Sequence, residues 1–123
     1  MGFGWRVLLV DPIADDREYQ AQVLRSAGLE VLEPDGDAFK AALTLRPDAV
    51  VVDVSPRRPG AGEFVRALKD DPRTSRIPVV VVSSYPRTDL APTEGFVGKP
   101  CTPDRMLAEL LRVVKVQETQ SRR

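Results

Sequence analysis

A chain of 123 residues, 42% hydrophobic and 29% charged, is long enough to bury one core, and its composition is that of a globular domain. Lys and Arg number 18 against 18 Asp and Glu, which argues against the basic stripe of a nucleic-acid surface, and Arg57-Arg58 and Arg122-Arg123 read as solvated loop and tail. Histidine is absent and Cys101 is the single cysteine, so imidazole triads, cysteine-based metal sites, internal disulfides and a phosphohistidine relay within the chain are excluded.

The first residues run into a strand pattern rather than a signal peptide, and no apolar run reaches membrane-spanning length, so no membrane partner and a cytoplasmic location are expected. In chain order, Val7-Leu8-Leu9-Val10 predicts a strand. A helix follows, capped by Asp15 or Asp16, with Tyr19, Val23, Leu24 and Ala27 inward and Gly28 as its left-handed stop. Glu30-Val31-Leu32 is a weaker run, expected near the sheet edge. The next helix spans about 38–45 on an Ala38, Ala41, Ala42 and Leu45 face, and Pro47 forbids its continuation. Ala49-Val50-Val51-Val52 and Val79-Val80-Val81-Val82 are the valine-rich runs of parallel strands covered on both faces. Between them a helix over about 63–69 turns Phe64, Val65 and Leu68 inward.

Residues 84–94 break the pattern, because Pro86 and Pro92 leave room for about one helical turn. A mobile loop or stub is expected there. Gly95-Phe96-Val97 is the last strand, again near an edge. The final helix opens on Thr102 as cap with Pro103 in its first turn, and its Met106, Leu107, Leu110, Leu111 and Val114 stripe reads as core. From Gln117 the chain is polar and is expected to fray.

Strands alternating with helices imply a parallel sheet with right-handed crossovers. Five strands point to a doubly wound, flavodoxin-like α/β fold in order 2-1-3-4-5, with the fourth helix shortened or missing. The chain reads as one domain, with its core at about 6–116 and a polar tail over 117–123. Sheets of this kind bind ligands at the carboxyl ends of their strands. Here those ends carry Asp11, Asp53, Ser83 and Lys99-Pro100, each the first polar residue after an apolar run. Two carboxylates suit Mg2+, which takes one or two of them plus water and phosphate oxygens. One carboxylate can then act as nucleophile toward phosphorus, while a lysine and a hydroxyl neutralise and orient the phosphoryl oxygens.

In order and spacing these pieces resemble the receiver domain of two-component response regulators. The match runs through Val7-to-Asp11, Arg17, Pro34-Asp35-Gly36, Arg46-Pro47-Asp48, Val51-Val52-Asp53, Ile77-Pro78, Ser83 and Gly95-to-Pro100. The resemblance implies a phosphoprotein and not an enzyme. Asp53 is the implied phosphoacceptor, served by a histidine kinase or phosphotransfer protein. Asp11, Asp53 and the Ser55 carbonyl are the implied Mg2+ ligands. Ser83 is the implied switch hydroxyl, Lys99 the phosphate contact, and Phe96 the aromatic whose rotamer follows activation. The alternative is a pseudo-receiver that acts as a protein–protein interaction module without phosphate.

Three departures modify these expectations. Pro12 stands where a second acid is usual, which should weaken magnesium binding. The loop after Asp53 carries its proline and glycines at shifted offsets. Residues 84–94 lack most of the helix of the usual output face, so a signal is expected to leave through that loop, Phe96 or the last helix. Cys101 reads as a buried thiol.

Overall fold

Runs of valine and leucine bounded by charged or turn residues form five parallel strands in the computed structural model, which describes residues 4–54, 59–84 and 93–121. The elements are β1 (Arg6–Val10), α1 (Ala14–Ser26), β2 (Glu30–Leu32), α2 (Ala38–Leu45), β3 (Ala49–Asp53), α3 (Pro59–Asp70), β4 (Val79–Ser83), β5 (Gly95–Gly98) and α4 (Pro103–Ser121). The sheet order is β2-β1-β3-β4-β5, with every neighbouring pair parallel. This is the flavodoxin-like order the alternating pattern predicts.

Alternate side chains of the central strands enter two separate cores. Val7, Leu9, Val51, Val80, Val82 and Val97 meet Leu24, Met106, Leu110 and Val114 from α1 and α4. Leu8, Val50, Val52, Val79 and Val81 meet Ala42, Val65 and Leu68 from α2 and α3. Because both faces of β3 and β4 are covered, consecutive valines are all buried, and each fully buried side chain of this size contributes about 1.5–3 kcal/mol of transfer free energy.

The helix ends depart from expectation where tertiary contacts intervene. The N-cap of α1 is Ile13 and carries no side-chain cap bond, so Asp15 and Asp16 do not cap. Instead the Asp11 carboxylate accepts the Ile13 N–H at 2.9 Å and launches the helix early, leaving the two acids in its first turn, where negative charge suits the helix dipole. The inward face is also shifted. Gln20, Ala21 and Leu24 are buried, whereas Tyr19 is 59% exposed.

The Asp37 carboxylate caps α2 by accepting the Phe39 and Lys40 N–H groups, and Arg46 in the left-handed region ends it. Pro59 opens α3, earlier than the apolar face alone indicated. Thr102 caps α4, its Oγ1 accepting the Arg105 N–H at 3.2 Å. This helix runs to Ser121 instead of fraying from Gln117, and Trp5 Nε1 donates to Glu118 at 3.1 Å across that turn.

The connection from β4 to β5 is residues 84–94, shorter than α1 with its 13 residues, and the described residues hold four helices. The fourth crossover is thus shortened. Within it, Tyr85 to Ala91, together with Pro86 and Pro92, lie outside the described residues. The entry to β5 is fixed firmly. Lys69 Nζ donates to the Ile77 carbonyl and to the Glu94 carboxylate, each at 2.8 Å, and Glu94 Oε1 also accepts the Val79 N–H at 2.8 Å. On the other side Arg112 donates to the Glu94 carbonyl at 2.9 Å, and Glu109 accepts the Phe96 N–H at 3.0 Å. Among the described residues no helix is long and apolar enough to cross a membrane.

Candidate functional site

Strand pairing carries the polar residues to one edge. Val10 pairs with Val52 and Asp53 with Val82, so Asp11 and Asp53 emerge at the carboxyl ends of adjacent strands. Ser83 pairs with Gly98, and the Lys99 N–H donates to the Ser83 carbonyl at 2.8 Å, which extends the ladder one step and turns Lys99 toward β3. Lys99 Nζ forms an ion pair with Asp53 Oδ2, the two side chains being 27% and 12% exposed. Asp11 and Ser83 are buried. The structure therefore brings together Asp11, Asp53, Ser83 and Lys99, all read from the sequence as site residues. Phe96 sits half-buried in the middle of β5 against the core on the α2–α3 side. Ser55 lies outside the described residues, as do Arg57 and Arg58.

Asp11 is held at both oxygens. Oδ1 accepts the Ile13 N–H, and Oδ2 accepts Gln20 Nε2 at 3.0 Å. Arg17 Nη1 donates to the Asp11 carbonyl at 2.9 Å, and its Nε pairs with Glu33. Burial pushes the Asp11 carboxyl above the usual carboxylate range. The Ile13 N–H opposes that rise, the charges of Asp53 and Asp16 add to it, and Lys99 partly offsets it. For Lys99, burial alone would lower the ammonium, but the hydrogen bond to Asp53 and the charges of Asp53, Asp11 and Asp16 outweigh it and hold the pKa above the ordinary lysine value.

Gln20 was not read from the sequence as part of the site, and Asp16 was read chiefly as a helix cap. Asp16 acts on both Asp11 and Lys99 through its charge. Gln20 is 8% exposed and bonds Asp11 directly, and its Oε1 is buried with no hydrogen-bond partner among the described residues. A carbonyl left so costs about 1–3 kcal/mol. The signal available for Gln20 was its four-residue spacing from Leu24. Gln20 also lines a cleft of about 600 Å³ between α1 and the β5–α4 turn, with Asp16, Tyr19, Lys99, Cys101 and Met106. Cys101 is half-buried rather than fully buried, and packs against the α1–α4 core.

Among the described residues, the carboxylates at this edge that could hold a cation are Asp11 and Asp53. Among the described residues no group of three His, Cys, Asp or Glu could hold a metal ion. Two carboxylates at the ends of adjacent strands fit Mg2+, which keeps much of its water.

A five-stranded parallel sheet in this order, with two acids, a hydroxyl and a lysine at one edge, has the architecture of a receiver domain. The chain is 28% identical over 120 residues to the phosphate regulon transcriptional regulatory protein PhoB of Pseudomonas aeruginosa, a match covering 91% of this chain and 52% of that protein. It thus spans about half the length of that relative. It is 28% identical to a chemotaxis response regulator of Vibrio cholerae, covering 89% of this chain and 98% of that one with a TM-score of 0.74. The receiver domain of a sensor histidine kinase from Pseudomonas aeruginosa, solved with a magnesium ion in its active-site cleft, superposes with a TM-score of 0.79 at 22% identity, over 91% of this chain and 98% of that one. No protein-family model matches the chain. Fold, strand-end residues and relatives together identify it as a divergent response-regulator receiver domain.

Proposed function

We propose that this domain accepts a phosphoryl group on Asp53 from a histidine kinase or phosphotransfer protein, with Mg2+, as a cytoplasmic signalling module rather than an enzyme. The observation that carries the reading is the ion pair of Lys99 with Asp53 beside buried Asp11. It supports the reading because a carboxylate that could act as nucleophile, a cation for the incoming charge and a second carboxylate share one strand edge. An Asp53 oxygen attacks phosphorus, the bond from phosphorus to the donor imidazole nitrogen breaks, and that nitrogen keeps the electron pair. Lys99 shifts from the carboxylate to the phosphoryl oxygens, and the Ser83 hydroxyl orients them. Asp11 and Asp53 would hold Mg2+, which supplies charge neutralisation between carboxylate and phosphate. A magnesium ion occupies the cleft of the structurally similar histidine-kinase receiver, which supports the same ion here.

Pro12 in place of an acid makes the expected affinity for magnesium low, improved by Pro12→Asp. The Asp53–Lys99 pair beside buried Asp11 favours this reading over a phosphate-independent module, which has no need of a nucleophile and a cation at this edge. The test is incubation with Mg2+ and a small phosphodonor, followed by intact mass. The expected result is a gain of one phosphoryl group, lost in Asp53→Asn. An adduct that persists in Asp53→Asn overturns the assignment.

A further inference from the structure

We propose that Gln20 is part of the cation site, its side-chain carbonyl taking the place of the carboxylate that Pro12 removes. The inference rests on the phosphoacceptor reading above and deepens it.

Gln20 is more than nine-tenths buried, in a helix position whose neighbours Ala21 and Leu24 enter the core. A polar side chain there needs a reason. Its Nε2 donates to Asp11 Oδ2 at 3.0 Å, while Oε1 has no partner among the described residues. Among the described residues half the amide is thus used and half is not, next to the buried carboxylate of Asp11. A half-turn about the last side-chain bond exchanges the two ends and sets Oε1 where Nε2 stands. Two oxygens bound to one Mg2+ at about 2.1 Å lie about 3.0 Å apart along an octahedral edge. The separation already present between Gln20 and Asp11 matches that edge. Asp11 Oδ1 stays fixed by the Ile13 N–H, so the carboxylate need not move when the amide turns. Gln20 lines a cleft together with Asp16 and Lys99, the cation paired with Asp53, so a hydrated ion can approach the amide from that side. Without a cation the amide donates to Asp11. With one it presents its oxygen, a neutral hard ligand.

The test compares the intact chain with Gln20→Leu and Gln20→Glu by calorimetric magnesium titration, by NMR of the side-chain amides, and by intact mass after the phosphodonor. The inference expects Gln20→Leu to weaken magnesium binding about tenfold, within the range seen when groups around a metal are removed. It expects Gln20→Glu, which supplies oxygen but no N–H, to bind at least as tightly as the parent. The Gln20 amide signals should shift with Mg2+ and broaden with Mn2+. A Gln20→Glu variant as weak as Gln20→Leu overturns the proposal, because the donated N–H would then be what matters. Should Gln20→Glu not fold, Gln20→Leu binding within about twofold of the parent, or Gln20 amide signals unmoved by either ion, overturns it equally. If the parent takes both magnesium and phosphate while the variants match it, only this inference fails. If the parent takes neither, the phosphoacceptor reading fails with it.

Discussion

Asp11 is a buried carboxylate beside another, and its protonation sets a pH dependence. Asp11 holds its proton more tightly in the folded chain than in the unfolded one. Its contribution therefore favours folding in acid and is lost as pH rises through the folded value. Asp11→Asn, whose amide can still face Ile13 and Gln20, should gain on the order of 1 kcal/mol at neutral pH, with the gain vanishing in acid, as read by denaturant melts at both pH values. Lys99 works in the other direction. Its raised pKa stabilises the fold below the unfolded lysine value, and that contribution disappears only in strong alkali. Lys99→Met leaves Asp53 facing Asp11 and should lose about 1–2 kcal/mol at neutral pH in the same melts, part of it recovered by adding Asp11→Asn. Asp11, Asp53, Ser83 and Lys99 were legible because the first polar residue after an apolar strand must emerge at the strand's end. Gln20 was not legible, because helical spacing drawn through Tyr19 counts its ring as core, whereas that ring stands in solvent and the amide is buried.

Elements were legible where a local rule decides them. Pro103 after Thr102 announces α4, and Thr102→Ala should cost about 1 kcal/mol in thermal or denaturant melts as the Arg105 N–H loses its acceptor. Element ends set by distant partners were not legible. The start of α1 depends on the Asp11 carboxylate, and the last turn of α4 on Trp5 reaching Glu118 from the other end of the sequence. The attachment of β5 to α4 belongs to the same class. A Cβ on Gly95 would lie 3.0 Å from Glu109 Oε2 and 3.1 Å from Val113 Cγ1. Glu109 cannot withdraw without releasing the Phe96 N–H and the Arg112 guanidinium. Gly95→Ala should therefore destabilise the chain by about 1–2 kcal/mol, with the lost hydrogen-exchange protection concentrated at Phe96.

At the scale of the whole molecule, strand order followed from the alternation of strand and helix, because right-handed crossovers leave few ways to wind five parallel strands. The shared sheet between two cores argues for one cooperative unit. Circular dichroism and Trp5 fluorescence should report coincident unfolding transitions, and separated transitions would mean that the α1–α4 and α2–α3 layers melt independently. The arrangement of the strands also governs how copies of the chain treat one another. The uncharged valine runs of β3 and β4 have the composition that stacks into intermolecular sheets when exposed. Both are interior strands, paired on either side. The edges fall to β2, three residues long with Glu30 exposed, and to β5, which begins and ends in glycine and runs into Lys99-Pro100. Edges so short and interrupted are poor templates for strand addition. The folded chain thus offers its neighbours its two weakest adhesive surfaces and hides its two strongest, so crowding is harmless until the fold opens, and heating a concentrated solution should end in precipitate where a dilute one recovers.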